Sequence, residues 1–143
     1  MFIPASALAA ETLAGRIDTD YNSEMPALIA LSAAVLACIS SVHDGDTVRA
    51  CSGERVRILN IDAPEMPGSP KCEDRRRQGW CDYALAERSR DALAAFLRAG
   101  PVVIQRTATD KYGRTLARLS VNGVDAGDYL VAQGLARPWH LSR

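Results

Sequence analysis

Four acidic residues in two short segments have the chemistry of a site for a hard metal ion. The segment "DGDT" provides Asp44 and Asp46, and the segment "DAPE" provides Asp62 and Glu65. The proline of "DAPE" restricts the backbone φ angle, so the chain turns there and both acids of that segment can converge on one place. Carboxylate ligands favour Ca²⁺ or Mg²⁺ over zinc, and irregular backbone with an available carbonyl favours Ca²⁺. The two segments together indicate a calcium site.

Each segment by itself has a simpler interpretation. Asp-Gly is a common hairpin dipeptide, so "DGDT" alone favours a tight turn, and "DAPE" alone favours a strand end with solvated acids. Two arginines change this balance, because Arg57 precedes "DAPE" and Arg114 follows a tight "KYG" turn. A guanidinium group can bind a phosphate with two hydrogen bonds. A hard cation, a carboxylate base and two arginines together form a set of groups suited to phosphodiester hydrolysis.

A regular strand from Arg57 to Asp62 would keep these two side chains apart. Side chains alternate between the two faces of a strand, which places Arg57 and Asp62 on opposite faces. A bend or bulge between them is needed to bring them together. The residue pattern does not predict where it lies.

The elements that must position these groups follow the order β-β-β-α-β-β-α. Asp82 is expected to cap an amphipathic helix that stops at Gly100, and Asp125 a shorter helix that ends at Gly134. Residues 66–82 form a long loop, rich in proline and charge, that includes Trp80 and an arginine run at 75–77. Strands are predicted from about residue 38 to the "DG" turn and over 47–51, 55–61, 101–107 and 115–121.

This order predicts a mainly β (α+β) fold, a five-stranded OB-fold Greek-key barrel with two helices. The periodicity alone also permits an open α+β sheet. The 143 residues suit one domain, which we place at 38–143 after an N-terminal tail at 1–37.

The tail contains an apolar segment at 25–37 that resembles the core of a secretory signal. It is too short to span a bilayer, so no stable membrane association is expected. The preceding residues are acidic where a signal needs positive charge, and export therefore fits best if translation begins at Met25. A buried first strand or helix after a disordered tail is the alternative.

The first two cysteines can be paired by hairpin register. If "DG" forms a two-residue turn, His43 faces Asp46 and Cys38 faces Cys51. The cysteines would then form a non-hydrogen-bonded pair with Cα atoms about 4.5 Å apart, within disulfide range.

The other two cysteines, Cys72 and Cys81, would close a short loop. Two disulfides fit an oxidising compartment and predict a secreted or periplasmic protein, whereas four free thiols would favour the cytoplasm. With only two histidines and no C-x-x-C pair, a structural zinc site is not expected.

The charge balance argues against a protein that binds nucleic acid by bulk electrostatics alone. The formal net charge is zero, and removal of the acidic first 24 residues leaves 16 basic and 13 acidic groups. The remainder is only mildly basic, and we expect a monomer.

Four ordered segments resemble the staphylococcal nuclease (thermonuclease) family. They are "DGDT", "VRILNIDAPE", "DKYGR" and "GVDAGDYLVAQGLAR", and they cover about residues 37–139. The resemblance implies an OB-fold barrel with a Ca²⁺ site that hydrolyses DNA and RNA by in-line attack of water.

The resemblance also implies metal and base roles for the acidic segments. Asp46 and Asp62 would bind Ca²⁺ through their carboxylates and Ala63 through its backbone carbonyl. Asp44 would support the site as a nearby acid, and Glu65 would orient or deprotonate the attacking water. The founding member has Thr at position 63, which the carbonyl ligand tolerates.

Substrate contacts follow from the same resemblance. Arg57 and Arg114 would clamp the phosphate and stabilise the transition state, while Lys111 and Tyr112 would hold a terminal phosphate. The tyrosines that lie near the base in the founding member have no clear match, and Trp139 or His140 are the candidates to stack instead.

Two interpretations from other classes remain. A non-catalytic OB-fold module would bind nucleic acid or a protein partner, but it would have no reason to keep the complete set of acids and arginines. A calcium-binding domain without catalysis would not depend on Arg114.

Overall fold

The computed structural model describes residues 35–74 and 76–140. The predicted tail and its apolar segment lie outside these residues as far as residue 34, and strand structure begins at Val35. In the described ranges, no helix has the length and apolar character needed to cross a membrane.

Nine strands and three helices make up this part of the chain. The helices are α1 (Pro70–Glu73), α2 (Tyr83–Arg98) and α3 (Ala126–Ala132). The strands are β1 (Val35–Ala37), β2 (Ile39–Asp44), β3 (Thr47–Ala50), β4 (Arg55–Ile58), β5 (Ile61–Asp62), β6 (Val102–Thr109), β7 (Thr115–Val121), β8 (Val124–Asp125) and β9 (Arg137–Pro138).

The main sheet curls on itself in the manner of an OB fold. Its strand order is β1-β6-β7-β4-β3-β2, and β8 adds to β7. The two outer strands, β1 and β2, are separated in sequence only by Cys38, so one bent stretch of chain pairs with β6 at one end and with β3 at the other. β4 and β7 are parallel and the other pairs are antiparallel. The barrel-like, mainly β (α+β) fold predicted from the sequence is confirmed.

Apolar side chains from the sheet and from two helices fill the interior. Leu93 of α2 and Leu130 of α3 are fully buried, and Phe96 stacks on Tyr129 with ring centroids 4.8 Å apart. The strands contribute the remaining large side chains, which include Val48, Val56, Ile58, Ile104 and Leu119.

Both predicted helix caps are confirmed. The Asp82 carboxylate accepts a hydrogen bond from the Leu85 N–H at 3.1 Å, and the Asp125 carboxylate accepts one from the Asp128 N–H at 2.9 Å. These bonds satisfy backbone donors that have no partner within the helix. The loop predicted at 66–82 differs in one respect, because it contains the short helix α1.

The register predicted for the first hairpin is wrong at its turn. Asp44 pairs with Thr47, so the two turn residues are Gly45 and Asp46, and His43 does not face Asp46. The Asp44 carboxylate accepts a hydrogen bond from the Asp46 N–H at 3.0 Å. This Asx-type bond favours a turn one residue later than the Asp-Gly dipeptide suggests.

Two register shifts along β2 then bring the first cysteine pair together. The Cys51 N–H donates to the Cys38 carbonyl at 2.8 Å, and the disulfide joins Cα atoms 5.4 Å apart. The predicted pairing is therefore correct, but it falls on a hydrogen-bonded pair, for which a wider separation of about 5.5 Å is normal. Cys72 and Cys81 form the second disulfide, with Cα atoms 5.8 Å apart.

One ion pair links the β3–β4 turn to two other strands. Arg106 donates two hydrogen bonds to the Glu54 carboxylate, at 2.8 and 2.9 Å, and the Thr115 hydroxyl donates a third at 2.7 Å. These bonds lower the pKa of Glu54 from 4.5 to about 2.

Glu54→Gln is expected to lower the free energy of unfolding by about 1 kcal/mol at pH 7, because solvent screens this partly exposed pair. The folded-state pKa of Glu54 lies below its unfolded value, so the contribution is present above about pH 4.5 and is lost as the pH falls towards 2. Urea unfolding of both proteins at several pH values checks this. A difference that does not shrink in acid would contradict it.

Candidate active site

Two adjoining cavities contain the predicted functional side chains. The first has a volume of about 590 Å³. The second, of about 910 Å³, extends past Lys111 and Tyr112 to Trp80 and Trp139. Four predicted residues line both cavities, namely Arg57, Asp62, Glu65 and Arg114, while Asp44 and Asp46 line only the first.

The turn that carries the first two acids is packed against α2. Asp44 and Asp46 are only 8% and 6% exposed. A Cβ atom on Gly45 would lie 2.8 Å from the Ala63 Cβ and 2.9 Å from the Ser89 Cβ, distances that real contacts do not reach. Glycine at position 45 therefore lets the turn approach both the helix and the "DAPE" segment.

Asp46 connects the two acidic segments. One carboxylate oxygen accepts a hydrogen bond from the Ala63 N–H at 2.9 Å and lies 3.4 Å from a terminal nitrogen of Arg57. The other oxygen accepts a hydrogen bond from the Thr47 hydroxyl at 2.9 Å. The side chain is thus oriented by three groups from two parts of the chain.

The bend that the sequence required lies between β4 and β5. β4 ends at Ile58, and Asn60 adopts a positive φ of 68°, a conformation that asparagine tolerates better than most residues. β5 then leaves the main sheet and pairs with β9. This change of direction brings Arg57 and Asp62 to the same cavity, although simple alternation would separate them.

Asp62 has a partner that the sequence did not indicate. Arg137 of β9 contacts one Asp62 carboxylate oxygen through two nitrogens, at 2.7 and 2.9 Å. The same guanidinium lies 4.8 Å from the centre of the Trp80 ring, a cation–π contact. Arg137 ends the fourth matched segment, but only the β5–β9 pairing places it beside Asp62.

Glu65 is held by residues of the predicted loop. One carboxylate oxygen accepts a hydrogen bond from the Ser69 hydroxyl at 3.0 Å, and the other lies 3.6 Å from the Lys71 ammonium. The Glu65 N–H donates to the Trp80 carbonyl at 2.7 Å. Ser69 and Lys71 were not singled out in the sequence, where they fall in a stretch without periodicity.

The "DKYGR" segment forms a tight loop beside the second cavity. Asp110 accepts hydrogen bonds from the backbone and side-chain nitrogens of Arg114, at 2.9 and 2.8 Å. The Arg114 guanidinium and the Lys111 ammonium lie 5.5 and 5.2 Å from the centre of the exposed Tyr112 ring. The loop therefore presents two cations and an aromatic face together.

Burial in the turn affects the ionisation of Asp44. Burial, and secondarily repulsion from the Asp46 carboxylate, raise the pKa of Asp44 from 3.8 to about 8. Among the ion pairs of the described residues, Arg57 contacts Asp46, but no cation contacts Asp44. Carboxylate oxygens are donors that a hard divalent ion accepts, and a cation bound at this turn would favour the ionised form of Asp44.

The side chains do not close a metal cage by themselves. Within residues 35–74 and 76–140, no group of three or more acidic, histidine or cysteine side chains is arranged to hold a metal ion. Asp46 and Asp62 instead contact Arg57 and Arg137. A calcium ion at this place would need backbone carbonyls and water as further ligands, which Ca²⁺ commonly uses.

Two curated proteins are similar to this chain over part of their length. The chain is 36% identical over 99 residues to the succinoglycan biosynthesis protein ExoI of Rhizobium meliloti (strain 1021), a match that covers 68% of this chain and 49% of the relative. It is 37% identical over 84 residues to protein ParB of Escherichia coli, across 57% of this chain and 39% of the relative. The chain thus spans about half, or less, of the length of these curated relatives.

A family model described as staphylococcal nuclease homologue matches residues 55–142. The match begins with β4, which carries Arg57, and it includes the "DAPE" and "DKYGR" segments. It spans more than half of the chain, and the sequence motifs and the OB fold agree with it. The chain belongs to the staphylococcal nuclease homologue family.

Proposed function

We propose that this chain is a Ca²⁺-dependent phosphodiesterase of the thermonuclease type that hydrolyses DNA and RNA. The observation that carries the proposal is the first cavity, where Asp46, Asp62 and Glu65 lie with Arg57 and Arg114. Family membership supports, at a coarser level, a nuclease-type or nucleic-acid-related function.

The acids divide into metal ligands and a base. Asp46 and Asp62 would hold Ca²⁺ with the Ala63 carbonyl, and Asp44 would lie near the metal as a supporting acid. Bound calcium supplies Lewis-acid polarisation of the phosphate and neutralises part of its charge. Glu65 orients the attacking water and accepts its proton, a role that its partly exposed, hydrogen-bonded carboxylate can fulfil.

The arginines bind the reacting phosphate. Arg57 and Arg114 donate hydrogen bonds to its non-bridging oxygens and stabilise the negative charge that grows in the transition state. Both side chains are mostly buried and are held by carboxylates, which reduces the cost of ordering them when substrate binds.

The second cavity would accept the rest of the nucleic acid strand. Lys111 and Tyr112 lie at its edge and are suited to a neighbouring phosphate. Trp80 and Trp139 line it as well and offer faces on which bases can stack. Mixed stacking and phosphate contacts of this kind favour single-stranded substrates without strong sequence preference.

Removal of calcium is expected to abolish cleavage of single-stranded DNA and RNA oligonucleotides. Loss of several kcal/mol of transition-state stabilisation corresponds to a rate reduction of about 10³-fold. The measurement is the rate of cleavage in Ca²⁺, in EDTA, and after excess Ca²⁺ is restored, with circular dichroism to show that EDTA leaves the fold intact. Cleavage that continues at the same rate in EDTA would contradict the proposal.

A non-catalytic OB-fold module that binds nucleic acid or a protein partner is the second candidate. It is favoured by the ion pairs Arg57–Asp46 at 3.4 Å and Arg114–Asp110 at 2.8 Å, which show that the arginines also serve to hold the structure together. A labelled oligonucleotide that binds in Ca²⁺ but is never cleaved would favour this candidate.

We also propose that the protein works as a monomer in an oxidising compartment, secreted or periplasmic. All four cysteines form disulfides, which persist under oxidising conditions and are rare in the cytoplasm.

A further inference from the structure

We propose that the Cys72–Cys81 disulfide, together with residues 69–74 and 76–81, here called the clamp segment, positions Glu65 for catalysis. The inference rests on the proposed function of Glu65 as the base. It assigns catalytic importance to a disulfide and a loop that, from their sequence, would serve only to staple the fold.

The clamp segment contacts both oxygens of the Glu65 carboxylate. The Ser69 hydroxyl donates a hydrogen bond to one oxygen at 3.0 Å, and the Lys71 ammonium lies 3.6 Å from the other. The carboxylate can therefore neither rotate nor move away without breaking a polar contact. It nevertheless keeps 18% of its side-chain surface exposed, so water can reach it.

The far end of the clamp segment holds the Glu65 backbone. The Trp80 carbonyl accepts a hydrogen bond from the Glu65 N–H at 2.7 Å. A Cβ atom on Gly79 would lie 2.8 Å from the Lys71 Cβ and 3.2 Å from the Glu65 Cγ. The backbone at Gly79 thus packs against Lys71 and Glu65, and the two ends of the segment enclose the base between them.

No described residue of the clamp segment is buried. Its helix α1 has four residues, none of which is buried. Segments with so little buried surface open locally at low free-energy cost. Noncovalent packing by itself is therefore a weak means of fixing Ser69 and Lys71 relative to Glu65.

The disulfide supplies the missing rigidity. It joins Cys72 of α1 to Cys81, which directly precedes Asp82, the capping residue of α2. α2 packs into the core through Leu93. The disulfide therefore ties α1 to the residue just before the cap of a core helix. This covalent link restricts the conformations in which the clamp segment is open.

The Cys38–Cys51 disulfide provides a matched control. Cys38 directly precedes β2 and Cys51 directly follows β3, so this disulfide closes the hairpin at the end away from the "DGDT" turn, and neither cysteine lines the two cavities. Its loss should lower stability without changing the position of Glu65.

The test compares Cys72→Ser/Cys81→Ser with Cys38→Ser/Cys51→Ser. We expect the first variant to lose about tenfold or more in kcat, since small displacements of a reacting group have effects of this size or larger, with KM changed much less. Hydrogen exchange at the Glu65 amide should quicken in the same variant. The control variant should have a lower Tm but a kcat close to that of the wild type.

A second pair of variants tests the clamp without touching the disulfide. Ser69→Ala should lower kcat several-fold, and Ser69→Thr, which keeps the hydroxyl, should restore most of it. Equal kcat in wild type and Cys72→Ser/Cys81→Ser, or equal losses in both disulfide variants, would overturn the positioning role. An inactive wild type in Ca²⁺ would instead contradict the proposed function itself.

Discussion

Glu65→Gln is expected to lower kcat for oligonucleotide hydrolysis by about 10³-fold, within the range that general bases contribute. Glutamine keeps the size of the side chain and can still accept a hydrogen bond from Ser69, so the fold and the clamp segment should survive. It cannot accept a proton from water at neutral pH. The expected signature is therefore a large fall in kcat, an almost unchanged KM and unchanged Ca²⁺ affinity, measured by single-turnover kinetics and calorimetry.

The matched control for this prediction is Glu54→Gln. Glu54 lines neither cavity and bonds to Arg106 and Thr115 instead. Its substitution should reduce stability while kcat stays near the wild-type value. If Glu65→Gln retained more than about a tenth of wild-type kcat, general-base catalysis by Glu65 would be disproved, because even weak general bases contribute about 10²-fold.

Arg114→Gln is expected to lower kcat by about 10² to 10³-fold, the usual effect of removing one donor that stabilises charge in a transition state. Arg114 is also a ligand for the ground-state phosphate, so KM should rise. The fold should remain, because the side chain is partly exposed and its main partner, Asp110, also accepts hydrogen bonds from the backbone of the loop.

The control for Arg114 is Arg106→Gln, an arginine that is likewise paired with a carboxylate but lies outside both cavities. It should lose stability and keep its activity. The two rival functions make different predictions for Arg114→Gln: a binding module would lose only affinity for the oligonucleotide, and a calcium-binding domain would lose nothing. Cleavage at the wild-type rate by Arg114→Gln would exclude the proposed role of Arg114 in binding the reacting phosphate.

Local chemistry explains why the helices could be predicted. The Asp82 and Asp125 caps each bond to a backbone N–H three residues away, so the signal and its partner lie in the same few residues. The disulfide pairings were also correct, although Cys38 faces Cys51 only because of two register shifts along β2 that the sequence did not predict. The four motif segments identified the family for a similar reason. A motif is defined by residue types and their order, and both can be read directly from the sequence.

The hairpin turn marks the limit of such local reasoning. Asp-Gly favours a turn at 44–45, yet the turn lies at 45–46 because Asp44 bonds to the Asp46 N–H and because Gly45 must approach Ser89 and Ala63. Those two neighbours come from distant parts of the chain. The local preference of Asp-Gly for a turn at 44–45 yields to packing of this kind.

Residue types and their order indicate which groups are available for catalysis, namely the acids of "DGDT" and "DAPE" and the arginines that accompany them. The arrangement of these groups in space depends on the tertiary structure. The positive φ of Asn60 and the β5–β9 pairing bring Arg57 and Asp62 to one cavity and place Arg137 on Asp62, and the fold of the loop after Glu65 brings Ser69 and Lys71 to its carboxylate. These contacts depend on a chain reversal and on pairing between distant segments, whose energies come from burial and hydrogen bonds that no short stretch of residues contains.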